Sequence, residues 1–351
     1  MCNGSGGRHT RRLDTHAAGI EEAAAILRAG GLVAFPTETV YGLGAHALDA
    51  RAVRGIFEAK RRPADDPLIV HLATADQIEQ VAMGNSVSSR LAKRFWPGPL
   101  TLVLPKRPSV PPEVTAGLQT VAVRVPAHAV AQALLLASGM PLAAPSANLF
   151  GRPSPTRAAH VLEDLDGRID AVLDGGPTTV GVESTIVDVS CTPPRLLRPG
   201  GLAAETIEAV LGEPLSRLVP STPSQGPQSA PGLMPVHYSP RTPLTLIVGD
   251  AGAAAARLRN EVEAAVASRQ SVGVVALEED RAMFSNPVHV EVVGSWSEPA
   301  VSAARLFEAI RALDAADLDV LFVRQLADPA VGLGEAITDR LHRAAQRIIE
   351  A

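Results

Sequence analysis

The sequence predicts an α/β protein with two domains, and three observations lead to this prediction. Short apolar runs alternate with amphipathic helical segments along most of the chain. Residues 213–243 interrupt the alternation with a stretch rich in proline, serine and glycine. The length of 351 residues suits two domains better than one. We therefore expect a larger domain over residues 17–212 and a smaller one over residues 244–351, joined by this linker.

The elements of the larger domain can be assigned in chain order. IEEAAAILRAGG is typical of a helix that ends at glycine, and LVAF is typical of a buried strand. Asp49 is the expected N-cap of the helix DARAVRGIFEAK, and the strand LIVHL follows. Further strands are predicted at LTLVL, VAVRV, PLAA, AVLD, STIVDV and RLLRP, with the helix AVAQALLLASG among them. Because helices do not separate every pair of strands, we expect an open, mixed, twisted sheet.

The smaller domain repeats the alternation. LTLIVGD, SVGVVAL, HVEVVG and LDVLFV are typical of strands, and helical segments separate them up to the amphipathic stretch GLGEAITDRLHRAAQRIIE. This pattern predicts a small α/β domain of about a hundred residues. At the other end of the chain, residues 1–16 carry charge without an apolar stretch, and we expect a disordered tail there.

Composition and charge exclude several classes of function. The formal net charge is -5 and the pI is near 6.0, so no general positive field attracts nucleic acid or an acidic membrane. Aromatic residues make up 3% of the chain, which argues against base-stacking surfaces. Cys2 and Cys191 lie too far apart in sequence for a zinc motif or a disulfide framework. Together with the absence of a long apolar run, this predicts a cytoplasmic protein.

Two polar clusters follow predicted apolar segments near the N-terminus. FPTETVYGLG, residues 35–44, has neither the glycine spacing of a dinucleotide loop nor the ending of a P-loop. KRRPADDPLIVH, residues 60–71, follows a helix, where its cations suit the negative end of the helix dipole. Alternatively, Pro63 and Pro67 hold Arg62 and Asp66 in a fixed loop that binds phosphate. The residues alone leave both interpretations open.

Further polar clusters lack the pattern of a covalent catalyst. Four more clusters are APSANLFGRPSPT at 144–156, VGVESTIVDVS at 180–190, LLRPG around Arg198 and HYSP at 237–240. Ser146 and Ser184 are not in a nucleophile elbow, and the histidines show no metal-ligand spacing. His71 is about as compatible with a buried core position as with a ligand contact. Hydroxyls, amides and arginines without a nucleophile suit a reaction in which one substrate attacks another.

In this order, FPTETVYGLG, KRRPADDPLIVH, WPGPLTLVL, VAVRVP, APSAN and GVESTIVD closely resemble the motifs of the YrdC-like superfamily. The linker with HYSP and the ending GLGEAITDRLHRAA resemble its two-domain branch, the threonylcarbamoyl-AMP synthases. The resemblance extends from about Gly19 to the C-terminus. It implies a YrdC-like open twisted sheet around a positively charged cavity, followed by a smaller Rossmann-like α/β domain.

The resemblance also implies a reaction and its partners. Family members condense L-threonine, bicarbonate or CO2, and ATP into threonylcarbamoyl-AMP and pyrophosphate. Mg²⁺ accompanies ATP and is held mostly by phosphate and water oxygens. A downstream threonylcarbamoyl transferase complex then modifies position 37 of tRNA, so tRNA is an indirect partner, and no membrane is involved.

The site residues follow from the same resemblance. For L-threonine, the matching positions are Thr39, His71, Arg124, Ser184 and the backbone of Ala144. For ATP, they are Arg62, Asp66, Thr120, Ser146, Ser154, Arg198 and Tyr238, and the catalytic pair is Lys60 and Arg62. Asp66 stands where the family usually has asparagine, and a carboxylate there repels phosphate unless it faces Arg62 or a metal ion.

Three alternatives compete with this resemblance. A double-stranded RNA-binding protein could use the same concave surface without catalysis. A carbamoyltransferase of hydrogenase maturation shares the YrdC-like domain, but it carries cysteine-rich zinc segments that this chain lacks. The smaller domain could also bind a ligand of its own. Residues 213–243 are further expected to form a lid, in which Tyr238 closes over the nucleotide.

Overall fold

The computed structural model describes residues 9–217, Ala230, Gly232 and 237–351. The strands over these residues are β1 Arg11–Leu13, β2 Val33–Phe35, β3 Gly42–His46, β4 Ile69–His71, β5 Leu100–Pro105, β6 Thr120–Arg124, β7 Leu142–Ala143, β8 Ala171–Leu173, β9 Thr185–Asp188, β10 Arg195–Arg198, β11 Ser216–Arg217, β12 Leu244–Val248, β13 Val272–Leu277, β14 His289–Gly294, β15 Val320–Arg324 and β16 Arg347–Glu350. The α-helices are α1 Ala17–Arg28, α2 Ala50–Lys60, α3 Ile78–Val81, α4 Ser86–Phe95, α5 Pro112–Thr115, α6 Ala129–Ser138, α7 Ala158–Leu165, α8 Ala204–Leu211, α9 Ala251–Ala267, α10 Pro299–Asp314 and α11 Leu333–Ala344. Two short 3-10 helices cover Ala75–Gln77 and Glu278–Met283.

The first sheet has eleven strands in the order β1-β8-β2-β3-β7-β4-β6-β5-β9-β10-β11. It mixes parallel pairs, such as β4 with β6, and antiparallel pairs, such as β5 with β6, which confirms the predicted mixed sheet. The register of β4 and β6 sets His71 opposite Arg124, at the carboxyl ends of both strands. β9 runs parallel to β5 and therefore opposite to β6. Ser184, directly before β9, consequently lies at the same edge of the sheet.

Helix α2 shows how local sequence places one site residue. The side chain of Asp49 accepts hydrogen bonds from the backbone N–H groups of Arg51 and Ala52, as expected for an N-cap. The helix ends at Lys60, and the C-cap residue Arg61 has a left-handed φ of 53°. The N–H of Arg62 then donates to the carbonyl oxygen of Phe57 at 3.0 Å. This closed helix end fixes the backbone of Arg62.

The second sheet has five strands in the order β14-β13-β15-β12-β16, and every neighbouring pair is parallel. Adjacent residues of β12 face opposite sides: Leu246 packs with Ile337 of α11, and Ile247 packs with Leu258 of α9. Helices therefore cover both faces, as in the predicted Rossmann-like domain.

The two domains share part of one apolar core. Val40 and Val182 of the first domain pack in the same cluster as Leu306 of α10. Gly181 has a φ of 78°, and a Cβ atom there would lie 2.3 Å from the carbonyl oxygen of Ala303. The backbone of the first domain therefore touches α10 directly.

Buried ion pairs join the domains beside this core. Arg311 of α10 donates to the Asp164 carboxylate of α7 at 2.6 Å and to the carbonyl oxygen of Pro153 at 2.6 Å. The Asp314 carboxylate of α10 lies 2.6 Å from Arg152 of the first domain. Because these charges are buried, each of these interdomain ion pairs would be costly to break.

Two expectations about secondary structure were wrong. Residues 9–16 of the expected disordered tail are ordered, since β1 pairs in parallel with β8 and the Thr10 hydroxyl donates to the carbonyl oxygen of Ile169 at 3.1 Å. The final helix does not continue to Glu350, because it ends at Ala344 and β16 follows. The polar stretch after β2 also leads into a strand to which the sequence assigned no element, β3.

Some expectations lie outside the described residues. These are the tail over residues 1–8 and most of the lid proposed for 213–243, where the described residues are 213–217, Ala230, Gly232 and 237–243. The domain boundaries stay predictions. Within the described part of the chain, no helix combines the length and apolar character needed to cross a membrane.

Candidate active site

A pocket of about 500 Å³, part of which is open to solvent, is lined by residues of the first domain and by residues of the segment that leads into the second domain. The lining residues among those described are Thr37, Thr39, Val40, Gly42, Arg62, Ile69, His71, Arg124, Ala144, Pro145, Ser146, Glu183, Ser184, Arg198, Gly232, His237 and Tyr238. They come from the turn after β2 and the start of β3, the loop after α2, strand β4, the ends of β6 and β10, the segment after β7, the segment before β9 and the segment before β12. The pocket therefore collects side chains that are far apart in sequence.

The turn after β2 positions Thr39 through hydrogen bonds of Thr37. The Thr37 hydroxyl accepts from the N–H groups of Thr39 and Val40 and donates to the carbonyl oxygen of Val40 at 2.7 Å. Since this donation uses its proton, the Thr39 hydroxyl is the donor in the 2.8 Å contact between the two hydroxyls. The Thr39 oxygen then accepts from Arg124 Nη1 at 2.9 Å. The polar stretch after β2 thus holds Thr39 against Arg124.

Arg124, on β6, is buried and contacts three groups. Its Nε donates to the carbonyl oxygen of Gly98 at 3.2 Å, and its Nη2 lies 2.7 Å from Glu38 Oε1. Burial alone raises the pKa of Glu38, but the Arg124 charge and hydrogen bond outweigh it and lower the pKa below its usual value. Glu38 is therefore ionised and neutralises one arginine beside the pocket.

His71, opposite Arg124, is a neutral side chain. Burial and the nearby Arg124 charge lower its pKa from 6.5 to about 3. Its Nδ1 lies 3.2 Å from the carbonyl oxygen of Ile69, which can only accept, so Nδ1 carries the proton. Nε2 is consequently an acceptor, and the ring is held edge-on against Phe35 with centroids 6.1 Å apart.

Arg62 and Asp66 form a buried ion pair on the loop after α2. Arg62 Nη2 lies 2.8 Å from Asp66 Oδ2 and donates to the carbonyl oxygen of Pro67 at 2.9 Å, while Nε donates to the carbonyl oxygen of Asp66 at 3.1 Å. Burial raises the pKa of Asp66 and lowers that of Arg62. The Asp66 carboxylate, at the position where the family usually has asparagine, therefore faces Arg62.

Arg198 and Ser184 form the next part of the pocket. Arg198 Nη2 donates to the carbonyl oxygen of Ser184 at 2.9 Å, and the Ser184 hydroxyl lies 2.8 Å from that of Thr101. Arg198 is the last residue of β10 and is buried, and burial lowers the pKa of its guanidinium. The hydrogen bond to Ser184 connects the end of β10 with the residue directly before β9.

Glu183 receives hydrogen bonds from both domains. Its Oε1 accepts from the Ser154 hydroxyl at 2.5 Å, and its Oε2 accepts from Arg340 Nε of α11 at 2.6 Å. Burial alone raises the pKa of Glu183, but Arg340 and Arg198 outweigh it and lower the pKa to about 2. Glu183 is therefore a fixed anion in the pocket lining.

His237 and Tyr238 close the pocket on the side of the second domain. Tyr238 is 1% exposed, has a left-handed φ of 64° and packs on Phe307 of α10 with ring centroids 5.5 Å apart. Burial and the Glu183 charge raise its pKa to about 12. Burial, then the charge of Arg62, lowers the pKa of His237 to about 3. Both rings are therefore uncharged.

Family models match both parts of the chain. The model Sua5_yciO_yrdC, described as telomere recombination, matches residues 25–200. The model described as threonylcarbamoyl-AMP synthase, C-terminal domain, matches residues 202–346.

Relatives and solved structures agree with these matches over nearly the full length. The threonylcarbamoyl-AMP synthase of Bacillus subtilis is 45% identical over 96% of this chain and 95% of its own length. The chain belongs to the threonylcarbamoyl-AMP synthase family. The family's Pyrococcus abyssi member is 45% identical over 94% of this chain and 95% of its own length. The crystal structure of P. abyssi Sua5 complexed with L-threonine superposes with a TM-score of 0.90, at 43% identity, over 97% of this chain and 99% of that one.

Most positions taken from the threonylcarbamoyl-AMP synthase motifs meet in the pocket. Those that line it are Thr39, Arg62, His71, Arg124, Ala144, Ser146, Ser184, Arg198 and Tyr238. The N–H of Ala144 donates to the carbonyl oxygen of Ile69, so its carbonyl is the backbone group it can offer. Thr37, Glu38, Glu183 and His237 belong to the same family motifs, and the sequence analysis assigned none of them to the site.

Four predicted positions lie outside the pocket lining. Lys60 Nζ donates to the carbonyl oxygens of Ser146 and Asn148, both at 2.5 Å, and burial lowers its pKa well below the usual value. Asp66 lies behind Arg62, and Ser154 lies behind Glu183. Thr120 begins β6 and Arg124 ends it, which separates them by about 13 Å at the usual rise of a strand.

The charges in the pocket favour an anionic ligand. The charged side chains in the described lining are three arginines, Arg62, Arg124 and Arg198, and one glutamate, Glu183, so guanidinium groups outnumber carboxylates on the pocket surface. Glu38 and Asp66 pair with Arg124 and Arg62 from behind this surface. Across the residues that the structure describes, no group of three or more His, Cys, Asp or Glu could hold a metal ion. Both Glu183 oxygens already accept hydrogen bonds, so a Mg²⁺ ion fits this pocket when ligand oxygens and water supply most of its coordination.

Proposed function

We propose that this chain condenses L-threonine, bicarbonate or CO2, and ATP into threonylcarbamoyl-AMP and pyrophosphate. One observation carries the proposal: a buried arginine braced for a carboxylate, Arg124, shares a pocket with two further buried arginines suited to phosphate. The family membership supports the same reaction, as does the relative whose structure is described as complexed with L-threonine.

L-Threonine binds at Arg124, Thr39 and His71 in this proposal. Three of the five N–H donors of Arg124 face Gly98, Thr39 and Glu38, which leaves two for a carboxylate. Neutral His71 offers Nε2 as an acceptor to the substrate's hydroxyl or ammonium group. Ser184 and the Ala144 carbonyl complete this half of the site.

ATP binds at Arg62, Arg198, Ser146 and Tyr238, with Mg²⁺ on its phosphates. The amine of threonine attacks bicarbonate and water leaves, or it adds to CO2 and loses a proton, to give a carbamate. A carbamate oxygen then attacks the α-phosphorus while the bond to pyrophosphate breaks. The arginines offset negative charge as it develops on the leaving group. Lys60 supports this half by holding the backbone of Ser146, and Ser154 does so through Glu183. Asp66 offsets part of the positive charge of Arg62 through their ion pair. Thr120, at the start of β6, contacts ATP where the nucleotide extends along this strand.

The product is an activated mixed anhydride, so we place the enzyme upstream of a transferase. A downstream threonylcarbamoyl transferase complex would pass the group to position 37 of tRNA in the cytoplasm. Direct binding of double-stranded RNA is disfavoured, because Arg62, Arg124 and Arg198 are 7%, 3% and 3% exposed and cannot reach the backbone of a duplex.

Pyrophosphate release tests the proposal. The full-length chain is incubated with ATP and Mg²⁺, with L-threonine and bicarbonate added separately and together. We expect release to require both. L-Serine serves as the control amino acid, and mass spectrometry identifies the adenylate. Release that ignores L-threonine would contradict the proposed function.

A further inference from the structure

Helix α11 of the second domain carries an arginine into contact with the pocket lining. Arg340 is fully buried, and its Nε donates to Glu183 Oε2 at 2.6 Å. Its Nη2 donates to the carbonyl oxygen of Pro199 at 3.0 Å, and its Cζ lies 5.3 Å from the centre of the Tyr238 ring. One side chain therefore contacts three separate segments next to the pocket.

The same helix holds the backbone on both sides of Tyr238. The N–H of His237 donates to the carbonyl oxygen of Arg343 at 3.1 Å, and the Ser239 hydroxyl donates to the carbonyl oxygen of Ala344 at 3.1 Å. These two acceptors are at the carboxyl end of α11, where helix carbonyls lack intrahelical partners. The carboxyl end of α11 therefore fixes the backbone of the segment around Tyr238 by two hydrogen bonds.

Glu183 depends for its charge balance on Arg340, which bonds it directly, more than on Arg198. A buried carboxylate without a cation is costly, and Ser154 supplies only a neutral hydrogen bond. The planar guanidinium can bond Glu183 and Pro199 while it stacks on Tyr238. A lysine keeps the charge but cannot make all three contacts, since it has one compact ammonium group.

We propose that Arg340 is a positioning residue, through which the second domain shapes the nucleotide half of the pocket. It fixes Glu183 and the Tyr238 ring, and it touches neither proposed substrate. This inference rests on the proposed function for the identity of the ligand, ATP. Its effect should therefore fall on ATP, with L-threonine recognition by Arg124 and Thr39 largely preserved.

The test compares Arg340→Lys with Arg324→Lys in the full-length chain. Arg324 is a matched control in the same domain: it is buried, bonds Asp280 at 2.7 and 3.1 Å, and has its Cζ 5.5 Å from the Trp296 ring. We expect Arg340→Lys to raise the KM for ATP about tenfold and the KM for L-threonine less than about twofold. We expect Arg324→Lys to change neither constant, although both variants lower Tm.

A double-mutant cycle with Glu183→Gln tests whether Arg340 acts through Glu183. We expect the effect of Arg340→Lys on the KM for ATP to shrink at least about threefold when Glu183→Gln is present. Equal KM changes in the Arg340 and Arg324 variants, or additive effects in the cycle, would overturn the inference.

Calorimetric titration with a non-hydrolysable ATP analogue separates this inference from the proposed function. If the wild-type chain shows no threonine-dependent release of pyrophosphate, the proposed function fails. The inference is then judged on the analogue: weaker binding by Arg340→Lys than by Arg324→Lys supports it, and equal binding refutes it.

Discussion

The pocket has one side made by strand ends of a single domain and another side made where the two domains meet. We call Thr39, His71 and Arg124 the sheet wall, and Glu183, His237 and Tyr238 the interdomain wall. Neighbouring strands hold the sheet wall, with His71 and Arg124 in direct register. The interdomain wall depends on α11 and Arg340. If the proposed function holds, amino-acid recognition would depend on the first sheet alone, whereas the interdomain wall would serve the nucleotide only with the second domain docked.

The largest expected effect tests the sheet wall. Arg124→Lys keeps the positive charge beside Glu38 but loses the forked donors that suit a carboxylate. We expect kcat/KM for L-threonine to fall about 100-fold, because charge-assisted hydrogen bonds contribute about 1.5–3 kcal/mol each. The dissociation constant for ATP, measured by calorimetry, should change less than about twofold. Equal losses for both substrates would remove the distinction between the walls.

A somewhat smaller effect is expected at Arg62, whose hydrogen bonds go to Asp66 and Pro67 in the first domain. Arg62→Ala should weaken ATP binding about 30-fold, since a buried cation on the phosphates is lost. The control is Arg61→Ala, which removes the same charge from an exposed neighbour. An unchanged dissociation constant for ATP in Arg62→Ala would confine nucleotide binding to the interdomain wall and Arg198.

The pH dependence of stability compares one histidine from each wall. His71 and His237 both have folded pKa values of about 3 against 6.5 for an exposed histidine. Between pH 6.5 and pH 3 the unfolded chain therefore binds more protons, and the free energy of unfolding falls as pH falls. The slope is about 1.4 kcal/mol per pH unit for each histidine. His71→Gln and His237→Gln should each remove one such contribution.

Urea unfolding at pH 4.5, 5.5 and 6.5 measures these slopes. A smaller loss of slope in His237→Gln than in His71→Gln would mean that solvent reaches the interdomain wall more readily than the sheet wall. No loss in either variant would contradict the buried, neutral state of both rings.

The smallest effect is expected at Asp66, where the family usually has asparagine. Asp66→Asn removes the carboxylate 2.8 Å from Arg62 and leaves the full arginine charge for the phosphates. ATP should bind about threefold more tightly at low salt, and the gain should shrink as salt screens the charge. Asp65→Asn removes the same charge from an exposed neighbour and should leave affinity unchanged. Weaker ATP binding in Asp66→Asn would show that the ion pair positions Arg62.

The fold could be predicted where periodicity and end signals agreed. Asp49 gave the start of α2, and apolar runs gave the long strands of both sheets. β1 was missed because RRL looks like a charged tail, and it becomes a strand only by pairing with β8. β16 was missed because the amphipathic pattern of α11 runs on without a helix breaker. In both cases the partner strand, distant in sequence, decides the structure.

The site could be predicted where one motif supplies one side chain, as at Thr39, Arg124 and Arg198. Lys60 shows where motif-based prediction of the pocket lining stops, because its buried ammonium group donates to two backbone carbonyl oxygens and does not line the pocket. Arg340 shows another, since nothing in GEAITDRLHRAA indicates that its partner is Glu183, 157 residues away. Ion pairs between domains depend on docking geometry, which a single sequence does not encode locally.

The contact at Gly181 has a consequence for how the chain melts. Its α-carbon lies against the backbone of α10, and Val40 and Val182 are packed in the core of the second domain. Separating the domains would expose this apolar surface and break the buried ion pair between Arg311 and Asp164. Neither domain can therefore lose its structure without removing support from the other, so heat should unfold the chain as a single cooperative unit, with one calorimetric transition.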